Sequence, residues 1–256
     1  MAVVVAAVVV AWSSGFLRER ADLSDAGDGG ALPTPNGGRP TTSDVDQPPG
    51  SDGGDDRVAY YDTVVDALPD QEAFTVLVVA GATREEVAQA LGVDLAAPVD
   101  VDDVWDDDET TGWASIDIAG GVLAVEPTGY GDPALDTLRA LSAEGRAAAV
   151  LRTNIQAHER FGAARDGELL FDDDEFMYVE DPSIVPAEIR PLFDLVWDDL
   201  ESDGPIDLDG PNPTAVALAM SEVVTGVVVR GDDLAEVGEA QHFKAPSLVY
   251  GQSLED

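Results

Sequence analysis

Charge constrains this chain before any motif does. Fifty-two acidic side chains stand against thirteen basic ones, a formal net charge of -39 over 256 residues. A buried charge is tolerated only when it is paired, and cationic partners are scarce: twelve arginines and a single lysine, Lys244. Nearly all the carboxylates must therefore stay at the surface of whatever forms. The same imbalance excludes direct binding of DNA or RNA, because a polyanion repels a phosphate backbone. It does not exclude a core, since 45% of the residues are hydrophobic, enough to fold rather than remain a solvated polyanion. The charge is not confined to a tail. Residues 1–57 hold nine acids and four bases, so the remainder is itself strongly negative, and self-repulsion weakens it at low ionic strength. A GC-rich coding bias or adaptation to salt accounts for such a pattern without a dedicated acidic function. With no cysteine in the chain, disulfides, thiolate metal sites and cysteine nucleophiles are excluded.

Hydropathy divides the chain into three segments. Residues 2–12 (AVVVAAVVVAW) are apolar without a break, and the run extends loosely to Leu17. A helix of that length reaches about 24 Å, short of the ~30 Å hydrocarbon core. No basic residue precedes it, while Arg18 and Arg20 follow at once. Residues 1–17 therefore read as a membrane anchor or export signal whose start lies upstream, as a valine-rich strand, or as an artefact of start-site choice. The first places the protein at the membrane or outside the cell, reached only through residues 2–17; otherwise it is cytoplasmic. Residues 18–57 have no apolar period and are rich in Gly, Pro, Asp and Ser, a disordered acidic linker by composition. Residues 58–250 carry the pattern of a folded domain.

Within that domain, apolar spacing predicts a helix over 58–68, stopped by Pro69. Phe74–Ala80 (FTVLVVA) is continuous and β-branched, a strand buried on both faces. Thr83 opens a helix with Glu86 completing a capping box, and Gly92 ends it. Residues 93–111 read as an acidic loop. Trp113–Ile118 and Val122–Val125 form a hairpin over Gly120-Gly121. Asp132 is placed as the cap of a helix running through Leu135, Leu138 and Leu141 to Gly145. Ala147–Leu151 is another buried strand, and His158–Ala164 with Glu168–Phe171 is a second hairpin across Asp166-Gly167. Helices follow over 186–199, over 213–225 with Asn212 as cap and Pro213 in the first turn, and over 232–239, before an irregular end. This order predicts an α+β fold, a mixed and largely antiparallel sheet with hairpins, covered by helices.

Four stretches carry a resemblance: FTVLVVAGATREEVAQALG (74–92), WASIDIAGGVLAVEPTGYGD (113–132), LRALSAEGRAAAVLRTNIQAHERFGAARDGELLFDDDE (138–175) and AVALAMSEVVTGV (215–227). Residues of about 58–240 resemble a family of uncharacterised actinobacterial domains, a domain of unknown function. The second stretch is similar to the family's "VEPNGW" signature, with Tyr130 where tryptophan is usual. The third is similar to its "R-N-x-N…R-F…D-G" segment, with Asn154 in the first polar slot. The resemblance implies no activity.

Gly129-Tyr130-Gly131-Asp132-Pro133-Ala134 has the outline of a dinucleotide fingerprint, but the preceding strand belongs to an antiparallel hairpin and Asp132 would oppose a pyrophosphate. A turn with a helix cap explains it. Asp106–Glu109 and Asp172–Glu175 read as solvated acidic loops rather than cation cages, because consecutive acids point in different directions. Asp207-Leu208-Asp209-Gly210 fails as a calcium loop, with Pro205 and Val216 at ligand positions. His158-Glu159 lacks the second histidine of a zinc-protease helix, and with only His158 and His242 in the chain no metal is expected. No cofactor is expected either. Trp105, Trp113 and Trp197 read as packing residues rather than a ligand cage.

One constellation stands out: Arg152, Asn154, His158 and Arg160 lie within nine residues of a chain so poor in bases, beside the Tyr130 turn. A positive spot in a negative field could hold a carboxylate. The plainer account is that Arg152 and Arg160 neutralise nearby acids such as Glu159 and Asp166. The sequence thus favours a non-enzymatic interaction module for a basic protein partner. The alternative is a small-molecule binder or enzyme using Tyr130, Arg152, Asn154, His158 and Arg160.

Overall fold

Phe74–Ala80 is apolar along its whole length because both of its faces are covered. In the computed structural model, which describes residues 54–68, 73–104, 109–154, 158–201 and 210–247, this strand (β1) lies in the middle of an eight-stranded sheet. The other strands are β2 (Pro98–Val99), β3 (Thr110–Ile118), β4 (Gly121–Glu126), β5 (Ala147–Thr153), β6 (Glu159–Arg165), β7 (Glu168–Asp173) and β8 (His242–Pro246). Their spatial order is β2-β8-β3-β4-β1-β5-β6-β7. Every pairing is antiparallel, so the α+β reading holds. All of these residues belong to one compact unit, Ser43–Asp256.

Period-two alternation splits each central strand between two cores. Val76, Val78, Leu123, Val125, Ala149, Leu151 and Phe161 face one side, packed by α1 (Gly54–Val65), α5 (Arg190–Glu201), α6 (Pro213–Thr225) and α7 (Gly231–Glu239). Leu77, Val79, Val122, Ala124, Ala148 and Val150 face the other, under α2 (Arg84–Ala90) and α4 (Leu135–Ser142). The covering of both faces by helices is what lets an antiparallel strand read as an unbroken apolar run.

Local signals set several boundaries. Thr83 caps α2 through the capping box with Glu86, Asn212 caps α6 with Pro213 in its first turn, and Gly226 ends α6 in the left-handed region at φ 71°. The β6–β7 turn has positive φ at both Asp166 (54°) and Gly167 (79°), the geometry of a two-residue hairpin turn.

Other boundaries differ from the sequence reading. Helix α1 starts at Gly54, inside the stretch read as linker. The acidic loop of 93–111 contains β2, the short helix α3 (Val101–Val104) and the start of β3. Helix α5 starts at Arg190 rather than Pro186: the turn at Pro186 does not propagate, because Pro191 has no N–H to donate to Ala187 O. The irregular end holds β8, which pairs with both β2 and β3. Asp132 does not cap α4: the cap position is Ala134, without a side-chain hydrogen bond. The linker to residue 53, the segment 1–17, Trp105 and most of Asp106–Glu109 and of Asp207–Gly210 lie outside the described residues. Among the described residues no helix is long and apolar enough to cross a membrane.

Candidate functional site

The site is a polar row laid across one end of the sheet. Thr75 on β1 is directly opposite Glu126 on β4 and Arg152 on β5, and Arg152 is directly opposite Arg160 on β6. Directly opposed residues share a face, so Glu126, Thr75, Arg152 and Arg160 all lie on the α2–α4 side, continuing the apolar rows of Leu77 and Val150 to the sheet's end. The connection from β4 to α4, residues 127–134, passes over them.

Asp132 descends from that connection between the two arginines. Its Oδ1 accepts from Arg160 Nη1, and its Oδ2 lies 3.5 Å from Arg152 Nη1. Arg160 also donates through Nε to Asp172 Oδ1 (2.9 Å) and through Nη1 to Pro133 O (2.8 Å), and its Nη2 lies 2.7 Å from the same Asp172 oxygen. Arg152 donates through Nε to Gly129 O at 2.6 Å and lies 3.5 Å from Asp174 Oδ1. The Arg160 side chain is 1% exposed and that of Asp132 is wholly buried. Burial raises the Asp132 pKa above the usual carboxylate range, with the two guanidiniums pulling it part of the way back. For Arg160, burial works against the charge, but Asp132 and Asp172 outweigh it and the guanidinium stays protonated.

Glu126 forms the other half of the row. Its Oε1 accepts from Thr128 N (2.9 Å) and from the hydroxyls of Thr111 and Thr128. Gly131 lies directly over it: a Cβ there would come within 2.7 Å of Glu126 Cγ and 2.8 Å of Trp113 Nε1. The glycine of the turn is thus required by close approach and not by a phosphate.

Of the residues singled out in the sequence, Arg152 and Arg160 meet through Asp132. Asn154 and His158 do different work at the rim. Asn154 N donates to His158 O at 3.3 Å and Asn154 Oδ1 accepts from His158 N at 3.1 Å, closing the β5–β6 connection. His158 Nδ1 is 3.2 Å from Glu175 Oε1 on an exposed edge. Tyr130 is half-buried at the tip of the 127–134 connection, where its backbone accepts from Ser247 Oγ and donates to Thr128 Oγ1. The arginines neutralise acids, but these are Asp132, Asp172 and Asp174 rather than Glu159 and Asp166. Sequence reasoning missed Asp132, Asp172, Asp174, Glu126 and Thr75. The available signal was parity: Glu126 ends the run VLAV and Arg152 ends AAAVL, each on a face already committed to burial.

No three acidic or imidazole side chains gather as a metal cage among the described residues. His158 precedes β6 and His242 lies in β8, with four strands between them in the sheet. Trp113 is 3% exposed in the core, and half-buried Trp197 donates to Val179 O. A shallow apolar depression lined by Val87, Leu91, Leu95, Trp113 and Phe243 lies between α2 and β8, away from the arginines.

Residues 52–239 match the model of a family of unknown function, DUF6461. The chain belongs to this family. The match includes the whole polar row and the connection above it, while β8 lies beyond its end. No curated protein and no solved structure matches the chain. Membership in DUF6461 therefore brings a fold-bearing segment without an assigned activity.

Proposed function

We propose that this DUF6461 domain is a non-enzymatic interaction module whose partner is a basic protein. The observation that carries the reading is the closure of the arginine pair: Arg160 is 1% exposed and held on both sides by Asp132 and Asp172. The constellation best suited to bind a small anion is thus already occupied by the protein's own carboxylates. Five further arginines are spent in the same way. Arg57, Arg139, Arg146, Arg165 and Arg190 each pair with a carboxylate. What the domain presents outward is uncompensated negative charge, for example Asp62 on α1 and Asp66 just after it, with Asp232, Glu236 and Glu239 on the neighbouring α7. Such a field steers a basic partner and loses its reach as salt is added.

The test is capture from a native lysate at 50 mM and 500 mM salt, followed by reconstitution with each purified protein recovered. A basic protein that binds one-to-one, with an association rate falling at least tenfold between the two salts, supports the proposal. Absence of any such protein overturns it. So does a metabolite that stabilises the wild-type domain and fails to stabilise Arg152→Met, because that outcome is the one a small-molecule site at Arg152–Arg160 demands.

A further inference from the structure

Three buried oxygens beneath the 127–134 connection make no hydrogen bond: Thr75 Oγ1, Glu126 Oε2 and Asp132 Oδ2, the last with only the Arg152 guanidinium 3.5 Å away. Thr75 and Glu126 are 0% exposed and Asp132 is 1% exposed. Burying a polar atom without a partner costs about 1–3 kcal/mol, and more for a charged one, so three such atoms in one place require an explanation. They belong to one neighbourhood. Thr75 and Glu126 are directly opposed on adjacent strands and share a face. Gly131 lies too close to Glu126 Cγ to carry a Cβ, and the next residue, Asp132, reaches Arg152, the other cross-strand neighbour of Thr75.

The donors around Glu126 converge on one of its two oxygens. Its Oε1 takes Thr128 N and the hydroxyls of Thr111 and Thr128, which leaves Oε2 turned away from all of them. No arginine, lysine or histidine among the described residues forms an ion pair with it. The Thr75 hydroxyl, which could donate to a carboxylate, makes no hydrogen bond to either of them. Arg152 and Arg160 face Asp132, Asp172 and Asp174, and Glu126 adds a fourth carboxylate to two guanidiniums. The polar row is short of positive charge.

We infer that Glu126 Oε2, Asp132 Oδ2 and Thr75 Oγ1 bind one small, hard cation of the Na⁺, Mg²⁺ or Ca²⁺ class. Two carboxylate oxygens and a hydroxyl are hard ligands without a nitrogen or sulfur donor, which selects this class over zinc or copper. Because only two of the ligands are carboxylates, the site is a weak one. The ion ties β1, β4 and the β4–α4 connection together, and supplies the charge that the arginines do not.

The test uses the full chain, freed of metals with a chelator and melted at constant ionic strength in tetramethylammonium chloride. NaCl, MgCl₂ or CaCl₂ then replaces part of that salt. One of the three is expected to raise Tm saturably above the tetramethylammonium baseline. Glu126→Gln should abolish the increment, while Asp181→Asn, at an exposed acid, should keep it. Should Glu126→Gln fail to fold, Thr75→Val decides, with the midpoint expected at least tenfold weaker. The inference is overturned if no cation exceeds the baseline, the outcome that a bridging water would give. It is also overturned if the increment survives in the variants with an unchanged midpoint.

Discussion

Arg160 shows how a chain with few cations uses the ones it has. Its guanidinium satisfies Asp132, Asp172 and the carbonyl of Pro133 at once, anchoring the β4–α4 connection and the last residues of β7 to β6. Breaking a buried pair by removing one partner costs about 3–5 kcal/mol, because the other charge is left uncompensated. Arg160→Met is expected to lose that amount in urea denaturation, and adding Asp132→Asn should recover part of it. A fully additive double mutant would show that the two side chains do not interact. Glu159, the neighbour of Arg160 on the opposite face, behaves otherwise. Burial without a cationic partner pushes its pKa up to about 7. The folded state then binds more protons than the unfolded state between about pH 4.5 and 7, so stability is full below that window and falls as pH rises through it. Glu159→Gln should leave stability at pH 4.5 unchanged and raise it at pH 8, by about 1–3 kcal/mol after allowing for partial exposure. Equal effects at both pH values would refute the assignment. At this scale the sequence showed that Arg152 and Arg160 were unusual, but not that their partners were Asp132, Asp172 and Asp174. Partner choice depends on where a connection folds back, and no spacing rule reports that.

Elements were legible wherever a local signal settles them. The Thr83–Glu86 capping box, the Asn212-Pro213 start of α6 and the Asp166-Gly167 turn each satisfy their own backbone groups, so the elements begin and end where residue chemistry says. Strand β8 escaped because HFKAP has neither the alternation nor the β-branched content of a strand. Its conformation is imposed by β3 on one side and β2 on the other. Strand β7 has an open edge, and Leu170 is an extra residue there: Ala163 pairs with Phe171 and Ala164 with Leu169. A bulge of this kind kinks an edge and discourages pairing with another chain. The opposite side of the sheet relies on β8 instead. Truncation after Gln241 is expected to leave Thr111–Trp113 with unpaired backbone and to free the segment held by Asp94 N to Lys244 O and Lys244 N to Ala97 O. Hydrogen exchange at Thr111 and Trp113 should accelerate at least tenfold, with Val76–Val79 in the sheet centre unaffected. Unchanged protection at Trp113 would mean that β8 contributes nothing to holding β3.

For the whole molecule the balance lies between two well-packed cores and a net charge of -39. The cores, one on each face of the sheet, explain why so acidic a chain folds at all. Fold class was legible because apolar runs, hairpins and caps are short-range. Function was not, because the residues resembling a motif proved to be a buried turn and its counter-ions. The charge still has a measurable consequence. The Debye length falls from about 10 Å at 0.1 M salt to about 3 Å at 1 M, which removes most repulsion between surface carboxylates on neighbouring helices such as α1 and α7. Relief of about 2–3 kcal/mol would raise Tm by roughly 5–10 °C at 2–4 °C per kcal/mol for a domain of this size. KCl and tetramethylammonium chloride should act alike, since screening is indifferent to the identity of a monovalent cation, whereas an ion held by Glu126 and Asp132 would discriminate between cations. A melting temperature flat from 0.1 to 1 M in both salts would mean that the carboxylates are already spaced beyond one another's reach, and that the acidity costs the fold nothing.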